Sequence, residues 1–136
     1  MRALILCEGK TDAILISYLL CKVSGWKPAK ADKKMSISVS EKNNESAYWY
    51  SRNDDRLLIC GVGGKDNFTS FFSDKIYDII RSYPQSETFD RVVMIHDKDD
   101  NTIKDVVSNI KNCLQPIAQN IINNEYKISR YAGYLN

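Results

Sequence analysis

Histidine occurs once in this chain, and its four cysteines (Cys7, Cys21, Cys60 and Cys113) include no C-x-x-C pair. A structural zinc site needs four convergent ligands at tight spacing, so the sequence argues against one. A strong excess of charge of either sign is also missing. Nineteen basic residues face seventeen acidic ones, and the net charge of +2 gives no electrostatic footprint for nucleic acid. Long apolar runs are missing too. The opening MRALILCEGK reaches Glu8 and Lys10 too soon for a signal segment or a membrane span, so the expectation is a cytoplasmic protein with no membrane partner. There is no internal repeat and no low-complexity tract.

What is present fits one domain of 136 residues, with 43% hydrophobic and 26% charged content. Ala3 to Cys7 is a short apolar run of the kind buried on both faces of a parallel sheet. Gly9 breaks it, and Thr11 can cap a helix through Ile14, Leu15, Tyr18, Leu19 and Val23. Residues 26–56 are rich in Lys, Asn, Ser and Asp and lack sustained periodicity. They read as a polar insertion with one short strand at Ile37 to Val39. Leu57 to Val62 is a second buried strand, closed by Gly61, Gly63 and Gly64. Phe68, Phe72, Ile76, Ile79 and Tyr83 recur at helical spacing up to Pro84. Arg91 to Ile95 is a third strand. Thr102 and Asp105 have the spacing of a capping box before an apolar stripe through Ile103, Val107, Ile110, Leu114, Ile117 and Ile121, bent at Pro116. Tyr126 to Tyr131 reads as a fourth strand.

Successive strand–helix units predict an α/β fold: three layers, α/β/α, Rossmann-like, with a mostly parallel sheet of about four strands. Ligands of such sheets gather at the carboxyl ends of the strands. Here those ends are Glu8-Gly9-Lys10, Gly61 to Asn67, and His96 to Asn101. Neither Gly9-Lys10-Thr11 nor Gly64-Lys65 is a Walker loop, because Leu4 and Ile59 stand where the first glycine belongs.

Asp97-Lys98-Asp99 follows an apolar strand. Asp residues there serve turns and helix caps, and they equally supply the oxygen ligands that magnesium prefers. Glu8 alone reads as an acid near a helix start. If the first and third strands are neighbours, however, Glu8, Asp97 and Asp99 converge, and like charges converge at a cost unless a cation joins them. Lys10 and Lys65 suit contact with phosphate or with these carboxylates. His96 suits packing better than ligation.

On these residues the chain resembles the TOPRIM family. Glu8-Gly9-Lys10-Thr11-Asp12 after a strand looks like its E-G-x-x-D motif, and Asp97-Lys98-Asp99 looks like its D-x-D motif. Gly61 to Phe68, with Gly63 and Gly64, is similar to the glycine segment of the branch near the overcoming-lysogenization-defect nucleases. The resemblance spans roughly residues 3–23 and 57–110. It implies a TOPRIM-like domain over residues 1–136 in which Glu8 is the general acid or base and Asp97 and Asp99 ligate magnesium, with manganese as a substitute. The reaction implied is cleavage of nucleic-acid phosphodiesters, and Lys10 and Lys65 would act in it on phosphate. Asn101 stands where topoisomerases often place a third aspartate, and Glu125 is the only acid after Asp105. A scaffold subunit of a larger nucleic-acid-processing or defence complex is the other reading. DNA or RNA is the expected partner, bound weakly by the chain alone, with a homodimer or a partner protein supplying the rest. Lys27, Lys30, Lys33, Lys34 and Lys42 either belong to a solvated surface loop, the reading favoured by their composition, or form a supplementary basic patch with Trp26 and Trp49 nearby as stacking groups.

Overall fold

The structure is a computed structural model that describes residues 1–33, 35–83, 87–97, 102, 104–106 and 108–113. The apolar run at the start forms β1 (Arg2–Cys7), and Gly9 then admits α1 (Lys10–Ser24). The remaining elements are β2 (Lys27–Pro28), β3 (Glu45–Arg52), β4 (Asp55–Val62), α2 (Phe68–Phe71), α3 (Tyr77–Ser82) and β5 (Arg91–Met94). A π-helical segment, Phe72–Ile76, joins α2 to α3. Short 3-10 turns precede β3 at Glu41–Asn43 and α2 at Lys65–Asn67.

All five strands form one sheet in the order β2-β3-β4-β1-β5. The centre is parallel: β1 pairs with β4 on one side and with β5 on the other. β3 runs antiparallel to β4, and β2 antiparallel to β3. The sheet is therefore mixed, and the expected polar insertion holds much of it. β3 alternates half-buried and buried pairs through Ala47, Tyr48, Trp49 and Tyr50, and it turns into β4 through Asn53 and Asp54. Asn53 adopts φ 54°, a conformation that asparagine tolerates in a two-residue hairpin turn. No strand forms at Ile37 to Val39. Those two side chains pack as an irregular segment against the core.

Alternation along β1 divides the interior into two cores. Leu4 and Leu6 face Leu58, Cys60, Val62, Phe68, Phe72 and Ile76, with Cys113 in the same cluster. Ala3 and Cys7 face Ala13, Trp26, Tyr50, Leu57 and Ile59. Trp26 and Trp49 are buried, so neither is a surface stacking group. Arg52 lies 4.6 Å over the Trp26 ring, and Trp49 stacks on Phe89 at 6.4 Å.

The helical stripes are partly displaced from expectation. α1 starts one residue after Gly9, so Gly9 rather than Thr11 is its N-cap. It buries Ala13 and Ser17, with Ile16, Leu20 and Cys21 half-buried beside them, and turns Ile14, Leu15, Tyr18, Leu19 and Val23 outward. Phe68, Phe72 and Ile76 do form one buried face. The Thr102–Asp105 capping box is present: the Asp105 amide donates to Thr102 Oγ1 at 3.2 Å, and the Thr102 amide donates to Asp105 Oδ2 at 3.1 Å. Residues 104–106 and 108–113 are helical, whereas Pro84, Leu114, Pro116, Ile117 and the expected strand at 126–131 lie outside the described residues.

Candidate functional site

β1, β4 and β5 are parallel neighbours, so their carboxyl ends form one edge, with β1 in the middle. Glu8 directly follows β1, and Asp97 stands three residues beyond β5. The two meet there: the Asp97 backbone amide donates to Glu8 Oε1 at 3.1 Å. Asp97 is exposed, and the Glu8 side chain is mostly covered. Asp99 lies outside the described residues. Among the described residues, no group of three or more His, Cys, Asp or Glu side chains is arranged to hold a metal ion. Glu8 and Asp97 bring two acidic residues to this edge, and hard carboxylate oxygens are the donors that magnesium prefers.

Glycines fix the Glu8 main chain. The amides of Gly63 and Gly64 both donate to the Glu8 carbonyl, at 2.9 and 2.8 Å. Gly63 holds φ 89° and Gly64 φ 127°, which residues with side chains rarely adopt. On the other side, the Gly9 amide donates to Asp12 Oδ2 at 3.1 Å. Asp12 thus satisfies an unpaired donor at the α1 start, the acidic half of a capping box. Its place in the E-G-x-x-D pattern has a structural cause that needs no metal.

His96 packs its ring on Phe68, 5.1 Å between centroids, and its side chain is only 6% exposed. Its Nδ1 lies 2.6 Å from the Asp97 carbonyl oxygen, which can only accept, so Nδ1 carries the proton. The same nitrogen is 3.7 Å from Glu8 Oε1. His96 therefore braces the Asp97 main chain, whose amide in turn donates to Glu8. Lys10 opens α1, and Lys65 opens the 3-10 turn after Gly64. Lys65 lines a cleft of about 220 Å³ with Asp66, Phe68, Met94, His96 and Cys113. Both lysines stand close to the edge in sequence, and Lys65 shares its cleft with His96, whose Nδ1 is 3.7 Å from Glu8 Oε1.

Burial pushes the Cys7 thiol up to about 12, helped by the negative charges of Asp12 and Glu8. Cys7 donates to the Cys60 carbonyl at 3.3 Å and is packing rather than a nucleophile.

Sequence reasoning missed residues 43–46. Because β3 is antiparallel, its start lies where β4 ends, with Glu45 opposite Val62 and Ser46 opposite Gly61. Ser46 Oγ accepts from the Gly61 amide at 3.2 Å, and the Asn44 carboxamide stands over Gly9. Buried Glu45 pairs with Lys75 Nζ at 3.1 Å. Glu45 and Lys75, with Asn43, Gly63, Asn67, Ser70 and Asp74, line a cleft of about 370 Å³. The readable signal was Asn43-Asn44 before the aromatic run Tyr48-Trp49-Tyr50, a turn followed by a strand.

No protein-family model and no curated protein matches the chain. Among solved structures it is similar to the crystal structure of the hypothetical protein PH0156 from Pyrococcus horikoshii OT3. The TM-score is 0.61 at 20% identity, over 96% of this chain and 50% of that one. The likeness is one of fold, and the chain spans half the length of that neighbour.

Proposed function

We propose that the chain is a TOPRIM-type, three-layer α/β/α domain that hydrolyses nucleic-acid phosphodiesters with magnesium. The observation that carries this reading is the 3.1 Å hydrogen bond from the Asp97 amide to Glu8 Oε1, which joins the two acidic strand ends. The Glu8, Asp97 and Asp99 carboxylates would hold the ion, with manganese as a substitute. Magnesium supplies Lewis acidity toward the phosphate and offsets charge on the attacking and leaving oxygens. Glu8 moves a proton, taking it from water or returning it to the leaving alcohol. His96, with its proton on Nδ1 engaged by the Asp97 carbonyl, holds the main chain whose Asp97 amide donates to Glu8. Lys10 and Lys65 contact phosphate oxygens.

The test is a magnesium-dependent cleavage assay on DNA and RNA with wild type, Glu8→Gln and Asp97→Asn. Glu8→Gln keeps an oxygen that accepts from the Asp97 amide, so the fold is expected to survive while cleavage falls at least 100-fold, the low end for a general acid–base group. Asp97→Asn should weaken magnesium binding in calorimetry. Wild-type cleavage by Glu8→Gln, or unchanged metal affinity in Asp97→Asn, overturns the reading. A scaffold subunit is the second reading, favoured by the outward apolar face of α1.

A further inference from the structure

Seven positions of α1 face solvent: 11, 14, 15, 18, 19, 22 and 23. An amphipathic helix should place polar residues there. Instead Ile14, Leu15, Tyr18, Leu19 and Val23 are 51, 67, 64, 57 and 73% exposed, and Lys22 is the one charge among them. Two more exposed apolar residues lie on the sheet face that α1 covers. Val93 pairs with Ile5, which packs on the α1 side, so Val93 and Ile95 share that face, and they are 45 and 42% exposed. The five apolar side chains of α1 alone offer on the order of 550 Å² of surface, so two copies would bury about 1,100 Å² in total, above the ~1,000 Å² that a specific interface should clear.

We propose that this face is a homodimer interface in which α1 packs antiparallel against α1 of a second copy about a two-fold axis. The area fits this occupant, and the spacing of the residues permits it. Positions 14, 15, 18, 19, 22 and 23 are symmetric about the midpoint between 18 and 19. A two-fold axis at that point sets Ile14 against the partner copy's Val23, Tyr18 against its Leu19, and Leu15 against the aliphatic stem of its Lys22. Apolar atoms then meet apolar atoms throughout, while the Lys22 ammonium reaches water at the rim. Such self-complementarity is what an isologous contact requires. Antiparallel helices also oppose their macrodipoles favourably. The chain's own last described helical residues lie across the sheet, where the Cys113 thiol donates to the Phe68 carbonyl at 3.5 Å. The inference stands apart from the proposed catalysis, because none of its residues belongs to the acidic edge.

Sedimentation velocity on the full chain should give twice the 15.6 kDa monomer mass at micromolar concentration. Leu15→Glu with Leu19→Glu should give a monomer with unchanged far-ultraviolet circular dichroism, since both sites face solvent and glutamate favours helix. Oxidative cross-linking reads the register. Leu15→Cys mixed with Lys22→Cys should form a covalent dimer, whereas Leu15→Cys alone and wild type should not. A monomeric wild type overturns the proposal and assigns the face to residues 114–136 or to another protein. A dimer that survives the double glutamate variant, or cross-linking by Leu15→Cys alone, overturns it as well.

Discussion

A methyl group at position 61 would stand 2.7 Å from both the carbonyl carbon and the oxygen of Gly9, and 2.8 Å from Ser46 Oγ. Backbone cannot yield as a flexible side chain does, so Gly61→Ala should cost ~1–3 kcal/mol, the usual range for overpacking. Urea unfolding measures this, and a loss below 0.5 kcal/mol would mean that β4 and the Glu8-Gly9 segment are not held this closely. Thiols supply a second residue-scale prediction. Burial raises Cys7 from the ordinary thiol value of 9.0 to about 12 and Cys113 to about 11, and it raises Cys60 as well. Above pH 9.0 the unfolded chain gives up protons that the folded chain keeps, so folding stability should be intact below pH 9.0 and fall as pH rises toward 12. At pH 8 half-buried Cys21 should be alkylated first in the native protein. Rapid native labelling of Cys7 or Cys60, read by peptide mass, contradicts their burial.

At the scale of elements, the Glu45–Lys75 pair links the start of β3 to the π-helical segment. Lys75 also donates to the Ser38 carbonyl, tying the irregular 37–39 stretch to the same point. Glu45→Ala leaves an ammonium beside a largely buried gap, at a cost on the order of 3 kcal/mol, and Glu45→Ala with Lys75→Met should recover part of it. A double-mutant cycle with no coupling would show the pair to be incidental. The parallel strands and their acidic ends were legible because buried parallel strands are continuous apolar runs, as at Leu4 to Cys7 and Leu57 to Val62. β3 was not. Its apolar and polar residues do not alternate strictly, and its Asn53-Asp54 turn lacks the glycine that marks a hairpin. The α1 face misled for another reason. Periodicity finds the stripe at Ile14, Leu15, Tyr18, Leu19 and Val23 but not the direction it points. The helix buries Ala13 and Ser17 because small side chains let it approach the sheet closely. The Glu8–Asp97 meeting was conditional on β1 and β5 being neighbours, a long-range pairing that no local pattern encodes.

For the whole molecule, a net charge of +2 with acids at the candidate site should make nucleic-acid binding by one copy weak at physiological salt. The logarithm of affinity for duplex DNA falls ~0.9 per neutralised phosphate for each tenfold rise in salt, so a shallow slope in a fluorescence titration is expected. Tight, metal-independent binding of a short duplex by a monomeric variant would contradict this. One feature of the acidic edge bears on how such a molecule changes over generations. The Glu8 carbonyl is gripped by two glycine amides, and β4 presses on Gly9 through a third glycine, so the mount is written in main chain and the chemistry in side chains. A lineage can exchange Glu8 or Asp97 for other groups and keep the mount. Losing Gly61, Gly63 or Gly64 would unseat any chemistry placed there. Descent should therefore leave its clearest mark at three positions that have no side chain, while the reactive groups beside them are free to be replaced.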